Sequence, residues 1–386
     1  MALKVAARGR IDPFIVMEVM RAAAERAASG ADVVHLEVGQ PSTRAPRKVL
    51  EAAKAALDTD LIGYTLALGI PQLRERIARH YREFYGAAVP AERIVVTTGS
   101  SGGFLLSFLT AFAPGDRVAL ASPGYPCYRN ILTALGIEPV IVPMEAETKF
   151  QPNVAALERV QRESGRKLDG LIVASPSNPV GAVVPEAELR ALMAYCRERG
   201  IRFVSDEIYH GITYGVDPAT AAAIDEQAIV INSFSKYFSM TGWRLGWMVV
   251  PADLLQPIER LAQNLFISPP TLSQYAGLAA FDAQDECRAN VRRYADNRAL
   301  LLNDLPGAGF DKLIATDGAF YIYADVARLT NDSVDFCRRM LLETGVAATP
   351  GVDFDAERGR ATMRFSFAGS TADMAEAVKR LKAWRK

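Results

Sequence analysis

The sequence predicts an α/β fold in three layers, with a mostly parallel seven-stranded sheet between helices and a smaller α+β domain beside it. Three observations predict it. Seven short runs of aliphatic and β-branched residues recur between residues 94 and 250, and most are followed by a helical stretch. Strands that alternate with helices build parallel sheets covered on both faces. The runs end in Gly, Ser, Pro or Asp, as strands do where the chain turns. Near residue 290 the rhythm changes to a long polar helix and then strand, helix and strand, which is the pattern of an α+β unit.

Taken in order, residues 1–11 read as an extended arm. Pro13 opens a helix on which Ile15, Val16, Val19 and Met20 have helical spacing. Residues 31–38 are strand-like and end at the turn Gly39-Gln40-Pro41. Helices over 46–57 and 71–85 flank the Gly63-Tyr64 loop. The seven strand runs are 94–98, 118–122, 139–142, 171–175, 202–205, 228–231 and 245–250. The last follows its predecessor too closely for a helical crossover, which allows an antiparallel strand. Then come a helix at 286–303, a strand at 318–323, a helix at 334–345 and a strand at 362–367. The expected division is an arm (1–11), a first part of the small domain (12–44), a large domain (45–288) and the C-terminal small domain (289–386). No internal repeat or low-complexity tract interrupts it.

Half of the 386 residues are hydrophobic and 23% are charged, the composition of a globular enzyme. Lys+Arg and Asp+Glu both number 44, so nothing favours nucleic acid or an anionic membrane as a partner. Four scattered cysteines and three scattered histidines give neither a zinc site nor a disulfide framework. The N-terminus lacks a signal-peptide core, and the longest apolar stretches are too short to span a bilayer. A cytoplasmic protein is expected.

The densest chemistry lies at Ser233-Phe234-Ser235-Lys236, followed eight positions after the lysine by Arg244 in Gly242-Trp243-Arg244-Leu245-Gly246. A desolvated amine at a strand end can stay neutral and form a Schiff base with a carbonyl. Small hydroxyl residues and a guanidinium suit a phosphate dianion. Together they describe an anchorage for pyridoxal 5′-phosphate, with the aldehyde on Lys236 and the phosphate on Ser233, Ser235 and Arg244. A lone Ser-x-x-Lys would be a surface lysine beside a turn; the downstream arginine motif argues otherwise.

The other candidates also sit where strands stop, the place where open α/β sheets bind ligands. Gly99-Ser100-Ser101-Gly102-Gly103 opens an apolar helix whose free N–H groups suit a phosphate, and it is no dinucleotide fingerprint. Tyr125, at the turn Ser122-Pro123-Gly124-Tyr125-Pro126, could stack on a planar ring or simply pack. Asn178 lies in Ser175-Pro176-Ser177-Asn178-Pro179, where its amide either points at a fixed acceptor or makes an Asx-turn. Asp206, in Ser205-Asp206-Glu207-Ile208-Tyr209, could pair with a protonated pyridine nitrogen or cap a helix. Arg364 is a basic residue inside the apolar run Met363-Arg364-Phe365-Ser366-Phe367 and needs an anion, either an internal acid or a substrate carboxylate.

Together these motifs resemble the fold-type I pyridoxal-phosphate enzymes, specifically the class I/II aminotransferases of the aspartate aminotransferase superfamily, over nearly the whole chain from Gly39 to Arg364. The resemblance implies Lys236 as the Schiff-base lysine and proton shuttle and Asp206 as the partner of the pyridine nitrogen. It puts Asn178 and Tyr209 on the phenolic oxygen, Tyr125 against the ring, and Ser233, Arg244 and the Gly99-Ser100-Ser101 backbone on the phosphate. Gly39, Asn178 and Arg364 would take the substrate α-carboxylate. Tyr64 would reach the phosphate from a neighbouring subunit, which implies a homodimer with shared sites.

Three features depart from the family pattern. Gly99-Ser100-Ser101-Gly102 replaces the more frequent Gly-Gly or Gly-Ala before a polar residue, a tyrosine stacks where aspartate-specific members often carry tryptophan, and no arginine matches the one that reads a dicarboxylate side chain. The implied reaction moves an amino group from an L-amino acid to a 2-oxo acid. A C–S β-lyase or a cyclopropane-forming synthase would use the same anchors. A transcription regulator with such an effector domain would need a DNA-binding domain before Gly39. Aromatic, branched and acidic donors all remain open.

Overall fold

The computed structural model describes residues 3–314 and 316–384. A two-residue strand, Val34–His35 (β1), precedes the large sheet. That sheet contains Ile94–Thr97 (β2), Arg117–Ser122 (β3), Glu138–Pro143 (β4), Gly170–Ala174 (β5), Arg202–Asp206 (β6), Ile229–Ser233 (β7) and Gly246–Val249 (β8). Its order is β2-β8-β7-β6-β5-β3-β4. Strands β3 to β7 pair in parallel, and β8 runs antiparallel to both of its neighbours, as its short connection allowed. The seven apolar runs thus become the seven strands, because a strand covered on both faces is apolar along most of its length.

Alternation within each strand splits the core into two layers. On one face Val95, Val118, Ile172, Ile229 and Ile231 meet Phe104, Phe108, Leu132, Leu254 and Ile258 from the helices Gly99–Ala111, Pro126–Ala134 and Ala252–Leu265. On the other, Ile94, Val96, Leu171, Val230 and Trp247 meet Leu73, Ile77, Leu157, Leu189 and Ala276 from the helices Pro71–Tyr85, Val154–Ser164, Glu186–Arg199 and Thr271–Ala280. The second layer also supports the turn after β7. Phe234 lies 5.0 Å from Trp247 and 5.3 Å from Phe238, and Phe238 lies 5.2 Å from Phe281.

A second, four-stranded antiparallel sheet holds Lys312–Ile314 (β9), Tyr321–Asp325 (β10), Thr349–Pro350 (β12) and Thr362–Ser366 (β13), in the order β12-β13-β10-β9. Val346–Ala347 (β11) pairs in parallel with β1, tying the early chain to this later unit. Several boundaries differ from expectation. The first helix is Ile15–Ala28, so Pro13 lies outside it, and the expected strand at 31–38 shrinks to β1. The strand expected at 318–323 begins at Tyr321, because Ala319 takes a left-handed turn at φ 57°. Strand β7 runs on to Ser233, which places that serine inside the sheet.

Candidate active site

At the C-terminal ends of β5, β6 and β7 a cavity of about 180 Å³ opens towards the small sheet. Gly39, Ser100, Ser101, Tyr125, Asn178, Asp206, Tyr209, Ser235, Lys236, Arg244 and Arg364 all line it. Residues that are up to 325 positions apart in sequence therefore meet in one place. A larger open depression of about 860 Å³ beside Arg76, Arg190 and Arg288 shares none of these groups. Its arginines are already paired with Glu83 and Asp282, Glu186, and Asp285.

Lys236 follows β7 by three residues, on the aromatic support described above. Its Nζ donates to the Gly39 carbonyl at 2.7 Å. Burial, helped by the positive charges of Arg364 and Arg244 and opposed by Asp206, lowers the amine's pKa to about 8. At neutral pH a larger share of molecules then carries a neutral, nucleophilic amine than for an ordinary lysine.

Asp206 ends β6 and is 4% exposed. It accepts hydrogen bonds from the Tyr128 hydroxyl and, at 3.0 Å, from the Ile208 N–H. Burial raises its pKa to about 6 against these two bonds and the pull of Lys236. No Lys, Arg or His lies within salt-bridge distance of it among the described residues. No helix begins there, so the capping account fails; the chain enters a turn instead. Glu207 points elsewhere, to Ser205, Thr220 and the Ala221 N–H.

Arg364, on β13, is 2% exposed and has no carboxylate partner among the described residues. It donates to Asn178 Oδ1 at 2.8 Å, to the Glu37 carbonyl at 2.5 Å and to Thr349 Oγ1 at 3.2 Å, and its Nε has no acceptor. The guanidinium lies between the rings of Tyr321 and Phe354, 4.3 and 4.7 Å from their centroids. Of the two readings of this arginine, an internal acid is therefore absent. Asn178 is not spent on an Asx-turn, since its Oδ1 holds Arg364, which leaves its amide N–H groups for another acceptor. Tyr209 shares a 2.6 Å hydrogen bond with the Tyr321 hydroxyl. A Cβ on Gly39 would overlap that hydroxyl, so any larger residue here must push it aside.

At the opposite end the helix Gly99–Ala111 starts with free N–H groups. Gly99 has φ 65°, and a side chain on it would collide with the Arg244 guanidinium, which lies against its backbone. Ser100, Ser101 and Ser235 face the cavity. Ser233 does not: its hydroxyl is turned to the Leu245 carbonyl and to Ser235 Oγ, at 3.0 and 2.9 Å. The Tyr125 ring is held edge-on by Tyr128 and Phe14, at 5.2 and 5.8 Å. Tyr64 is 84% exposed and does not line the cavity; Leu57, Leu61 and Leu66 are exposed as well.

Sequence reasoning missed Tyr128 and Tyr321, and it missed a wall formed by Phe14, Val16, Met17, Met20 and Val38. Tyr128 stands one helical turn from Tyr125, a spacing that puts both on one face. Nothing in the pattern separated Tyr321 from Tyr323.

The parts fit one cofactor. A lysine of lowered basicity suits an aldehyde, a buried acid without a counter-cation suits a protonated pyridine, and a helix N-terminus beside an arginine and serines suits a phosphate. Fold and site together define a pyridoxal-phosphate enzyme of fold-type I. The model of the family "Aminotransferase class I and II" matches residues 31–381. The valine–pyruvate aminotransferase of Mycobacterium tuberculosis is 50% identical over 385 residues, covering 99% of this chain and 98% of that protein. Among solved structures, an aminotransferase from Mycobacterium tuberculosis superposes with a TM-score of 0.96 at 49% identity, covering 99% of each chain. The Thermus thermophilus aspartate aminotransferase with maleate gives 0.91 at 33%, covering 99% of this chain and all of that one. The chain belongs to the class I and II aminotransferases and is a pyridoxal-phosphate-dependent transaminase acting on amino acids and 2-oxo acids. No helix among the described residues is long and apolar enough to cross a membrane.

Proposed function

We propose that this aminotransferase takes its amino group from a small, apolar L-amino acid of the valine type and passes it to pyruvate. The observation that carries this reading is the wall of Phe14, Val16, Met17, Met20 and Val38, which faces the cavity without a charged side chain. The cations lining the cavity are Lys236, Arg244 and Arg364, each with its own task, so none is left to read a second carboxylate. The name of the Mycobacterium tuberculosis relative points the same way.

When bound, pyridoxal phosphate supplies a reactive carbonyl carbon and a ring that absorbs negative charge. Lys236 would hold that carbonyl carbon at rest and, once free, take and return the donor's α-proton at Nζ. Asp206 would keep a positive charge on the ring nitrogen, since its own desolvated charge is best answered by a cation. Tyr209 and the Asn178 amide would donate to the ring oxygen, and Tyr125 would cover one ring face. Arg244, Ser100, Ser101, Ser235 and the Gly99 backbone would hold the phosphate; Ser233 would act behind them, by orienting Ser235. Arg364, assisted by Asn178 and Gly39, would grip the α-carboxylate with its fork. Tyr64 would complete the phosphate seat of a second subunit, with the exposed Leu57, Leu61 and Leu66 in the contact between the two copies. Four unpaired cysteines suit the reducing cytoplasm.

A donor panel tests the substrate assignment. With pyruvate as acceptor, valine should exceed aspartate in kcat/KM by at least about a hundredfold, the scale on which a buried, unmatched charge is rejected. Aspartate equal to or better than valine would overturn it. Sedimentation velocity should show a dimer.

A further inference from the structure

The first helix, Ile15–Ala28, brings no side-chain cap of its own, because Phe14 stands at its start. Its leading N–H groups are met from 338 positions away. Asp353 Oδ1 accepts from the Ile15 N–H at 3.0 Å, and Oδ2 accepts from the Val16 N–H at 3.2 Å. Asp353 is 1% exposed and takes part in no salt bridge among the described residues. A carboxylate at a helix N-terminus is well placed electrostatically, but a buried one is costly unless both oxygens are satisfied. Here the two amides satisfy one oxygen each.

The same helix start carries Phe14, Val16 and Met17, three of the five residues of the apolar wall, with Met20 one turn on. Asp353 belongs to a short strap that begins at β12. Thr349 donates to the Glu37 carbonyl at 2.8 Å and accepts from Arg364 at 3.2 Å. Phe354 lies against the Arg364 guanidinium, and its carbonyl accepts from the Gly124 N–H at 3.0 Å, next to Tyr125. Six consecutive residues thus touch the carboxylate seat, the ring-covering turn and the wall.

We propose that Asp353 is a specificity-positioning residue: by pinning the Ile15 and Val16 amides it fixes how deep the apolar wall stands, and so which donor side chain fits. The inference rests on the reading that this wall selects an apolar donor. Asp353 touches none of the reacting atoms. Its removal changes discrimination between donors and leaves the chemistry of a donor too small to reach the wall intact.

The test compares wild type, Asp353→Asn and Asp353→Ala as holoenzymes, with valine and alanine as donors to 2-oxobutyrate, an acceptor that neither donor regenerates, and amide hydrogen exchange read over residues 14–17. In Asp353→Ala exchange at 15 and 16 should quicken at least about tenfold, the scale of a lost cap. The valine-to-alanine ratio of kcat/KM should fall roughly tenfold, through the KM for valine, the scale of a misfitted methylene. The kcat for alanine and the cofactor absorbance should stay within about twofold. Asp353→Asn keeps one acceptor and should fall between. A valine-to-alanine ratio unchanged in both variants, or an equal collapse of kcat for both donors, would overturn the proposal. If Asp353→Ala does not fold, Asp353→Asn decides alone, by whether the ratio drops. A wrong reading of the wall shows separately, in wild type that prefers aspartate to valine before any variant is made.

Discussion

Replacing Arg364 with leucine removes a cation held between two aromatic rings and bonded to Asn178, Glu37 and Thr349. A substrate carboxylate on its fork would take two charge-assisted hydrogen bonds, each worth about 1.5–3 kcal/mol. The lower bound for the pair is about 3 kcal/mol, or roughly 150-fold in kcat/KM. Lysine at this position keeps the charge but not the fork and should lose about half of that free energy, roughly tenfold. The assay is a single turnover with donor alone, followed by the cofactor's absorbance, which separates the donor's dissociation constant from the limiting rate. In Arg364→Leu the dissociation constant should rise about a hundredfold while the limiting rate falls less than about tenfold and cofactor stoichiometry holds. The substitution also leaves the Asn178 and Glu37 oxygens unpaired, so a lower Tm is expected. A dissociation constant within about fivefold of wild type, or cofactor loss in parallel, refutes the assignment of this arginine to the substrate.

Other outcomes follow from the same geometry. Because the Lys236 pKa is lowered to about 8, the rate at which cofactor-free protein captures pyridoxal phosphate should climb with pH and level off above about 8; a midpoint near an ordinary lysine's value of 10.5 would contradict the site's desolvation. Lys236→Ala should leave no protein-bound label after borohydride reduction and nearly no turnover, checked by peptide mapping. Asp206 has a folded pKa raised from 3.8 to about 6, so the cofactor-free fold binds more protons there than the unfolded chain between those values. Its contribution is therefore lost as pH rises through that window, by up to about 3 kcal/mol. In urea unfolding of the cofactor-free protein, Asp206→Asn should gain on wild type between pH 4 and 7; a difference flat in pH would count against a desolvated carboxylate. Gly39→Ala should displace the Tyr321 hydroxyl from Tyr209 and cut kcat/KM at least about tenfold, without unfolding the protein.

The large sheet was legible because strands buried on both faces are apolar along most of their length, which leaves a strong continuous signal. The small sheet was only half legible. Its strands β9 and β12 are three and two residues long, too short to carry a period, and one of them ends in proline. The site was legible wherever a residue type contradicts its surroundings: a lysine after an apolar strand, an arginine inside one, an aspartate at the end of one. Tyr128 and the wall of Phe14, Val16, Met17 and Met20 carry no such contradiction. An apolar stripe on a helix reads as core, and only the path of the chain decides that it faces a substrate cavity. Ser233 shows the converse: the motif put it on the phosphate, but β7 runs two residues further than the apolar run suggested and turns the hydroxyl back towards Leu245.

The two guanidinium groups that add to burial in depressing the Lys236 amine are also the two anion seats proposed for the cavity. An anion settling on Arg244 or Arg364 cancels part of the positive field at Nζ, so that the nitrogen grips a proton harder as each seat fills. Filled seats would thus favour the protonated form of Lys236, and empty ones the neutral nucleophile.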